Sequence, residues 1–420
     1  MGIKNSIINI YKSRNFKHGI LYTIFSFFNS GINFILLLTL ARYLTPAEYG
    51  SLNLFTTFVT LLSILISLCS ASYVAVSFFQ KSTETLKQVI LTVFSISTVV
   101  LVILSVIAIL LPSRLIFVIG IPQKDLLLGV MICYLQVYNL VNLDIWRLEE
   151  RPVCYGMYSV SFAICNFILT FWFIIGMHQG WQGRVTAWII LATIYFLISI
   201  AVMLRRKYLV FNKLKINIIR ETLLYSLPLI PHSASFWLKQ GLDRYIVNYF
   251  YNQSVVGYFS FAMNLAAIIT IVGTAFNATN SVYIYKKLAE GYSTVRSILN
   301  KQIKLMSYVF LCISVIVGLF AFILIHYFLE KYEISIQYIF PFCLGAFFQC
   351  IYLLWVNYLF YYKKTKELMH ITLSTAILQM LLSIWLTRYS PMCTAWVSTT
   401  VILITMLLVK RKSKQVLSNG

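Results

Sequence analysis

Residues 18–41 read HGILYTIFSFFNSGINFILLLTLA, a run without a single Lys, Arg, Asp or Glu. A helix of about 20 mostly apolar residues crosses the hydrocarbon core of a bilayer, so this run predicts one transmembrane helix. The run is too long for a cleavable signal peptide, and no small-residue cleavage site follows it. We therefore interpret it as the first transmembrane helix of the chain.

Uncharged runs of at least 17 residues recur twelve times along the 420 residues. They are residues 18–41, 49–80, 88–113, 126–143, 152–183, 185–204, 222–238, 245–285, 305–329, 334–362, 368–387 and 389–409. The run 245–285 is long enough to hold the end of one helix, a turn near Asn252 to Ser254, and the next helix. The pattern predicts an all-α polytopic membrane protein with 12 transmembrane helices.

Basic residues are distributed unequally between the connections. Of the 34 Lys and Arg residues, 26 lie at the two chain ends and in every second connection, and 6 lie in the other connections. Lys and Arg favour cytoplasmic loops, so the N- and C-termini are both predicted to be cytoplasmic. The net charge of +22 is spread along one membrane face. We therefore expect anionic membrane lipid as a partner, and no nucleic acid.

Motifs for catalysis and metal binding are missing from the sequence. It has no nucleotide-binding phosphate loop, no zinc-protease motif and no serine-hydrolase motif, and its eight Cys and five His show no metal-ligand spacing. The longest connection, residues 205–221, has about the length of one amphipathic helix. We expect no catalytic residue, no metal site and no cofactor.

An internal repeat divides the chain into two halves. A shift of 207 residues aligns Tyr43–Leu54 with Phe250–Phe261 and places Gly50 on Gly257. In both segments a helix ends in an aromatic residue, a short polar turn follows, and a glycine opens the next helix. The repeat predicts two six-helix bundles, residues 1–210 and 211–420, which enter the membrane in the same direction and enclose a cavity.

The seventh segment carries charged residues within the predicted membrane. His232, Lys239 and Asp243 recur at helical spacing and share one face, and Arg244 lies on the neighbouring face. Ionic groups in hydrocarbon are costly unless paired or hydrated, so this face is expected to line protein or water. One hypothesis is that Lys239 and Arg244 attract an anionic substrate while Asp243 holds them in place and His232 contributes to binding. The alternative is that the Asp-Arg pair anchors the helix end at the outer interface and His232 is a buried, hydrogen-bonded residue.

Uncharged residues supply two further candidates. Pro228 and Pro231 remove backbone hydrogen bonds from the seventh segment, which favours a hinge. Asn29 and Asn33 lie one turn apart in the first segment and offer amides to a hydroxyl-rich ligand. Such amides also join neighbouring membrane helices, so both interpretations stay open.

Two sequence blocks resemble a known family. Residues 41–50, ARYLTPAEYG, follow the first helix, and residues 224–247, LYSLPLIPHSASFWLKQGLDRYIV, contain a Pro-x-x-Pro-His segment that leads to Asp-Arg. Both resemble the polysaccharide flippases of the MOP superfamily, the Wzx-type O-antigen transporters. With the chain length and the helix count, the resemblance covers essentially the whole chain.

The resemblance implies two six-helix bundles that flip an undecaprenyl-diphosphate-linked oligosaccharide repeat unit across the bacterial inner membrane by alternating access. The repeat unit would belong to O-antigen, capsule or exopolysaccharide, with a glycan polymerase and a chain-length regulator as candidate partners. Two alternatives are a MATE-like cation-coupled drug exporter and a membrane-embedded glycan polymerase. The first is expected to need an acidic residue deep in its cavity, and the only such residue here, Asp243, lies beside two basic residues. The second is expected to need a large external loop, which the sequence lacks, so we expect a transporter and not an enzyme.

Overall fold

The computed structural model of the protein describes residues 14–210, 213–290 and 292–419. Within these ranges the chain is helical and contains no β-strand. Eleven of the described helices are long and apolar enough to cross a membrane. The predicted all-α polytopic fold is confirmed, whereas the count of 12 crossings stays a prediction.

The helices are numbered here in chain order. They are α1 Arg14–Tyr43, α2 Pro46–Ser67, α3 Ala71–Gln80, α4 Thr83–Leu110, α5 Ser113–Ile119, α6 Gln123–Leu148, α7 Pro152–Phe171, α8 Gly180–Arg205, α9 Ile216–Ser226, α10 Leu229–Gln240, α11 Leu242–Phe250, α12 Gln253–Ala289, α13 Tyr292–Phe328, α14 Ile336–Tyr361, α15 Thr365–Leu386 and α16 Pro391–Asn419. A π-helical turn, Trp172–Gly176, extends α7, and a 3₁₀ segment, Glu330–Ser335, precedes α14.

The predicted seventh transmembrane segment is broken into short helices. α9 ends at Ser226, α10 runs from Leu229 to Gln240, and α11 begins at Leu242. α10 has 12 residues and rises only about 18 Å, which is less than the thickness of the hydrocarbon core. Pro228 lies in the first gap, where its ring and its missing N–H oppose a continuous helix. This division explains why the segment is absent from the eleven membrane-length helices.

Side chains satisfy backbone carbonyls at the second break, beside Gly241. The carbonyl of Lys239 accepts a hydrogen bond from Gln379 Nε2 at 2.8 Å, and the carbonyl of Gln240 accepts one from the Arg244 guanidinium at 2.9 Å. An unpaired carbonyl in hydrocarbon is costly, and helix breaks at membrane depth depend on such replacement partners.

The turn that follows α11 lies where the sequence predicts it. α11 ends at Phe250 and α12 begins at Gln253. The side chain of Asn252 caps α12 by accepting a hydrogen bond from the backbone N–H of Val255 at 3.1 Å. The interpretation of residues 245–285 as a helix end, a turn and a new helix is confirmed.

The chain forms two compact units, each assembled from several segments. Unit 1 consists of Met1–Leu44, Phe55–Phe117 and Ile121–Ser233, and unit 2 consists of Thr45–Leu54, Val118–Gly120 and Ala234–Gly420. The bundle boundary between residues 210 and 211 that the repeat predicts stays a prediction.

Each unit has an aromatic core. In unit 1, Trp146, Tyr158 and Tyr195 from α6, α7 and α8 form a buried cluster, with the Trp146 and Tyr158 rings 5.2 Å apart. In unit 2, Phe259 of α12 packs its ring edge-on against Phe342 of α14 at 4.9 Å. Edge-to-face ring pairs stabilise helix contacts beyond the area that they bury.

Long apolar faces remain exposed on several helices. Val102 and Ile103 of α4 and Ile316 and Leu319 of α13 each leave half or more of their surface uncovered. Faces of this kind suit lipid and not water. Together with the eleven membrane-length helices, they identify a multi-pass membrane protein.

Candidate functional site

A polar cavity of about 330 Å³ lies within unit 1. Helices α1, α6 and α7 line it, and none of its lining residues is charged. Its polar lining residues are Asn29, Asn33, Gln136, Asn139, Tyr155, Tyr158, Ser159 and Asn166. We call it the unit-1 cavity. Its size and its mixture of apolar walls with a few amides and hydroxyls are typical of a small-molecule site.

Asn29 and Asn33, the two residues predicted from the first segment, both line the unit-1 cavity. Their spacing of four residues places them on one face of α1. The side-chain oxygen of Asn29 is buried and has no hydrogen-bond partner within the described part of the chain. Asn29 therefore presents a free acceptor at the cavity.

Asn139 on α6 presents a hydrogen-bond donor, which complements the acceptor of Asn29. Its side-chain oxygen accepts hydrogen bonds from Tyr158 Oη at 2.8 Å and Ser199 Oγ at 2.9 Å. The residue is only 7% exposed, and its amide nitrogen has no partner among the described residues. Since a buried donor without a partner is unfavourable, the amide of Asn139 is suited to an acceptor on a bound ligand.

Arg184 supports the far end of the unit-1 cavity. Its guanidinium donates to the side-chain oxygen of Asn166, a cavity-lining residue, and to Thr170 Oγ1 at 3.0 Å. The same guanidinium lies 5.2 Å from the ring centroid of Trp188. Arg184 thus fixes the orientation of Asn166 through neutral partners. Arg184 itself lies in the second turn of α8.

Asp243 is buried in a hydrogen-bonded network within unit 2. One carboxylate oxygen accepts from Ser383 Oγ at 2.8 Å, and the other accepts from Gln379 Nε2 at 2.8 Å and Ser398 Oγ at 2.5 Å. The carboxyl group is therefore held by three neutral side chains of α15 and α16. Among the described residues, the ion pairs do not include Asp243. The expectation that Asp243 holds the two basic residues in place stays a prediction.

Lys239 faces the same two helices, one turn before Asp243. Its ammonium group donates to Thr375 Oγ1 at 2.8 Å and to Thr405 Oγ1 at 3.3 Å. Both partners are neutral hydroxyls, so the positive charge of Lys239 is not cancelled by these contacts. The shared face predicted for Lys239 and Asp243 is present, although Gly241 interrupts the helix between them.

The side chain of Arg244 points toward α12. The sequence places Arg244 on the face next to that of Lys239 and Asp243, which agrees with this different direction. Its guanidinium donates to Ser260 Oγ at 3.1 Å and to Asn264 Oδ1 at 3.4 Å. Asn264 in turn donates to Tyr49 Oη at 3.1 Å and to Asn53 Oδ1 at 3.0 Å. Arg244 therefore belongs to a neutral polar network that fixes its direction, and among the described residues it forms no ion pair.

The remaining candidates lie on the broken helix. Pro228 precedes α10 and Pro231 lies in its first turn, where a missing N–H removes no helical hydrogen bond. His232 belongs to the same turn of α10, and its side chain lies outside the described residues. The hinge role of the prolines and the substrate role of His232 stay predictions.

Two of the three partners of Asp243 belong to a pattern of regularly spaced polar residues in the sequence, which the charged residues alone do not reveal. Polar residues recur every fourth position along the second half of α15, at Thr375, Gln379 and Ser383, and continue to Thr387 just after its end. This spacing places a polar stripe on a stretch that is otherwise apolar from residue 376 to residue 386, which indicates a polar neighbour in the bundle. Asn139 and Asn166 gave a weaker signal, because single amides in apolar segments are common as interhelical contacts.

A family model and two protein sequences match this chain. The model described as "Polysaccharide biosynthesis protein" matches residues 16–283. A protein of the Lsg locus of Haemophilus influenzae is 24% identical over 361 residues, which cover 84% of this chain and 86% of that protein. An uncharacterized membrane protein of the same organism is 26% identical over 353 residues, which cover 80% of this chain and 81% of that protein.

Solved transporter structures have the same fold. The lipid II flippase MurJ in an inward closed conformation aligns with a TM-score of 0.75 at 17% identity, over 94% of this chain and 87% of that chain. An inward-facing multidrug resistance MATE family transporter of the MOP superfamily aligns with a TM-score of 0.67 at 14% identity, over 93% of this chain and 95% of that chain. The predicted MATE-like fold is confirmed.

Proposed function

Because this chain belongs to the polysaccharide biosynthesis protein family, we propose that it flips an undecaprenyl-diphosphate-linked oligosaccharide repeat unit from the inner to the outer leaflet of the bacterial inner membrane. The resemblance to MOP-superfamily flippases that the sequence blocks indicate is confirmed by the family and the fold. Both are those of transporters and not of enzymes, which agrees with the expected absence of catalysis.

The observation that carries the proposal is the pair of unfilled hydrogen-bonding groups at the unit-1 cavity. Asn29 offers an acceptor and Asn139 offers a donor, and none of the described residues that line the cavity is charged. A sugar hydroxyl both donates and accepts, so it satisfies such a pair. Tyr155 and Phe162 add ring faces, which suit the C–H faces of a pyranose. The cavity is therefore suited to the uncharged sugar part of the cargo.

The basic residues of unit 2 suit the diphosphate part. Lys239 and Arg244 are held by neutral hydroxyl, amide and carbonyl groups. An unpaired cation lowers the cost of carrying a doubly charged group through a medium of low dielectric constant. Repeat units of O-antigen, capsule or exopolysaccharide all share this diphosphate lipid, so the proposal does not depend on one sugar.

The environment of Asp243 argues against a cation exporter. A cavity acid that recruits a cationic drug must have a carboxylate oxygen available to it. Here Gln379, Ser383 and Ser398 occupy both oxygens, and the residue is 3% exposed. Asp243 is therefore better suited to bracing the broken helix against α15 and α16 than to binding a cation.

Transport is proposed to occur by alternating access. The headgroup enters from the cytoplasmic side, the polyprenyl tail stays in lipid, and the break at Pro228 supplies the hinge. Both chain ends are proposed to be cytoplasmic because of the distribution of Lys and Arg. A glycan polymerase and a chain-length regulator would act on the product at the outer face.

The test is a flipping assay in proteoliposomes that contain lipid-linked oligosaccharide, with outer-leaflet accessibility of the sugar as the readout. The variant Asn29→Ala removes an acceptor that has no partner among the described residues, so it is expected to slow flipping without lowering thermal stability. Asn217→Ala, which changes an exposed Asn on α9, is the matched control and is expected to flip at the wild-type rate. Absence of flipping by the wild-type protein would refute the proposal, and elongation of the glycan without movement would identify a polymerase instead.

A further inference from the structure

A second cavity, of about 880 Å³, lies within unit 2 between the first turns of α13, the end of α14 and the last turns of α16. Five of its lining residues are basic: Arg296, Lys304, Lys410, Arg411 and Lys414. We call it the basic cavity. It contains none of the residues discussed above for transport. The sequence assigns residues 286–304 and 410–414 to basic-rich connections, which are predicted to face the cytoplasm.

No acidic residue lines the basic cavity within the part of the chain that the structure describes. Among the described residues, none of the five cations takes part in an ion pair. Lys412 lies on α16 beside three of these cations but does form an ion pair, since its ammonium group lies 2.7 Å from a carboxylate oxygen of Glu367. The lack of counter-charge is therefore a property of the cavity and not of this end of the protein. Like charges that share one cavity repel one another, and a bound anion removes that repulsion.

Trp355 organises one wall of the basic cavity. Its side chain is 6% exposed, and the ammonium groups of Lys410 and Lys414 lie 5.8 and 5.9 Å from its ring centroid. Ser413 Oγ donates to the backbone carbonyl of Trp355 at 2.9 Å and ties α16 to α14. A ring face attracts cations, so Trp355 holds two lysines at the cavity without neutralising them. The positive groups are thus positioned before any ligand arrives.

We propose that the basic cavity binds a phosphate-bearing anion, either the headgroup of an anionic membrane lipid or a free diphosphate. Phosphate oxygens accept several charge-assisted hydrogen bonds at once, and Arg and Lys are their usual protein partners. Basic pockets between membrane helices on the cytoplasmic side characteristically bind lipid headgroups. The volume is large enough for a headgroup with several anionic oxygens to meet more than one of the cations.

The site does not depend on the proposed transport function. A protein that fails to flip any oligosaccharide would still bind an anion here, and a flippase whose basic cavity is empty would still carry its cargo through other residues. The two proposals are therefore separated by measuring binding apart from transport.

Binding is measured on the full-length protein in neutral detergent, by titration with inorganic pyrophosphate. A second arm measures retention of dioleoylphosphatidylglycerol from mixed phosphatidylcholine nanodiscs by mass spectrometry. The variant Lys410→Gln/Arg411→Gln/Lys414→Gln is expected to weaken binding at least about tenfold, since each lost charge contact to phosphate weakens binding several-fold. Pyrophosphate binding to the wild type identifies the phosphate chemistry alone as sufficient, whereas retention of the lipid without pyrophosphate binding identifies a lipid headgroup site.

The matched control is Lys412→Gln, which removes one charge from the same helix outside the basic cavity. Lys301→Gln on α13 is a second control, since Lys301 is exposed and does not line the cavity. Both controls are expected to bind like the wild type. The proposal is overturned if neither probe binds the wild type, if the triple variant binds equally well, or if the two single controls lose as much affinity as the triple variant. Thermal unfolding of each variant in detergent separates loss of the site from loss of the fold.

Discussion

Gly50 of α2 and Gly257 of α12 lie in direct backbone contact within unit 2. A Cβ atom on Gly50 would come 2.9 Å from the amide nitrogen of Gly257 and would collide with the carbonyl of Gln253, and a Cβ atom on Gly257 would collide with the carbonyl of Pro46. These are the two glycines that the internal repeat aligns. The shared glycine is thus required by close helix packing and not only by the turn that precedes it.

The first prediction concerns this contact. Gly50→Ala and Gly257→Ala are each expected to lower the free energy of unfolding by about 1–3 kcal/mol, because the added methyl group meets backbone atoms that cannot rotate away. Thermal unfolding in detergent, followed by intrinsic fluorescence, measures the change. Gly31→Ala is the control, since nothing lies within 4 Å of its Cβ position. Equal stability of all three variants would contradict the packing argument.

The second prediction concerns Asp243. Asp243→Ala leaves Gln379, Ser383 and Ser398 without their common acceptor and is expected to destabilise the protein by on the order of 3 kcal/mol. Asp243→Asn keeps the volume and one oxygen, and two of the three partners are hydroxyls that reorient, so its loss is expected to be smaller. Thermal unfolding of the two variants shows which of them loses more stability. An Asp243→Ala protein with wild-type stability would show that the network does not brace the broken helix.

The third prediction concerns the unpaired cations in the membrane. Lys239→Ala and Arg244→Ala are each expected to reduce flipping and surface glycan at least about tenfold, equivalent to about 1.4 kcal/mol in the barrier, while the protein remains inserted. Lys239→Met, which keeps the chain length and removes the charge, separates loss of charge from loss of packing. Lys286→Ala, at an exposed Lys near the end of α12, serves as the control. Wild-type transport in both alanine variants would reject the site assignment and leave the fold unaffected.

The fourth prediction concerns the break between α9 and α10. Pro228→Ala restores an N–H and removes the ring that opposes helix continuation, a difference of about 3 kcal/mol in a helix interior. The variant is expected to be at least as stable as the wild type and to transport more slowly. Pro231→Ala is expected to change less, because Pro231 lies in the first turn of α10, where a backbone N–H has no helical acceptor. Faster or unchanged transport by Pro228→Ala would exclude the hinge.

The fifth prediction concerns pH and the connection between α6 and α7. Burial by itself would raise the pKa of the Glu149 carboxyl, but hydrogen bonds from Arg206 and Tyr208 and the charges of Arg206 and Arg151 outweigh it and lower that pKa below its ordinary value of 4.5. A lowered pKa in the folded state means that the stabilisation is complete above pH 4.5 and is lost as the pH falls through the folded-state value.

Glu149→Gln is therefore expected to be less stable than the wild type at neutral pH, by about 1 kcal/mol after allowance for partial solvent screening. The difference is expected to shrink below pH 4.5, as the wild-type carboxyl protonates. Unfolding temperatures across this range provide the measurement. Glu84→Gln is the control, because Glu84 pairs with Lys87 on the surface and its side chain is 75% exposed. A difference between Glu149→Gln and the wild type that is independent of pH would contradict the pKa argument.

Some features of the fold can be predicted from the sequence alone, and others cannot. The turn at Asn252 and the equivalence of Gly50 and Gly257 follow from local composition and from the repeat, whereas the contact between the two glycines is known only from the tertiary structure. The break at Gly241 does not follow in this way. A single glycine is tolerated in membrane helices, and the break persists here because Gln379, more than 130 residues away, satisfies the Lys239 carbonyl. The orientation of Asn139 also depends on distant residues. Tyr158 and Ser199 donate to its side-chain oxygen, and the amide nitrogen has no partner among the described residues.

The sequence by itself determined that the protein is a bundle of membrane helices, because the bilayer excludes charge and imposes a length on every apolar segment. The family followed separately, from the resemblance carried by residues 41–50 and 224–247. It also identified Lys239, Asp243 and Arg244 as the ionic residues that need a protein environment. The tertiary structure alone decided which partner each one has: Asp243 is enclosed by neutral donors, Lys239 and Arg244 donate to neutral groups, and five cations line one cavity with Trp355. Hydrogen-bond partners and cavities depend on which helices pack against each other. Helix periodicity predicts the face on which a side chain lies, but not which helix packs against that face.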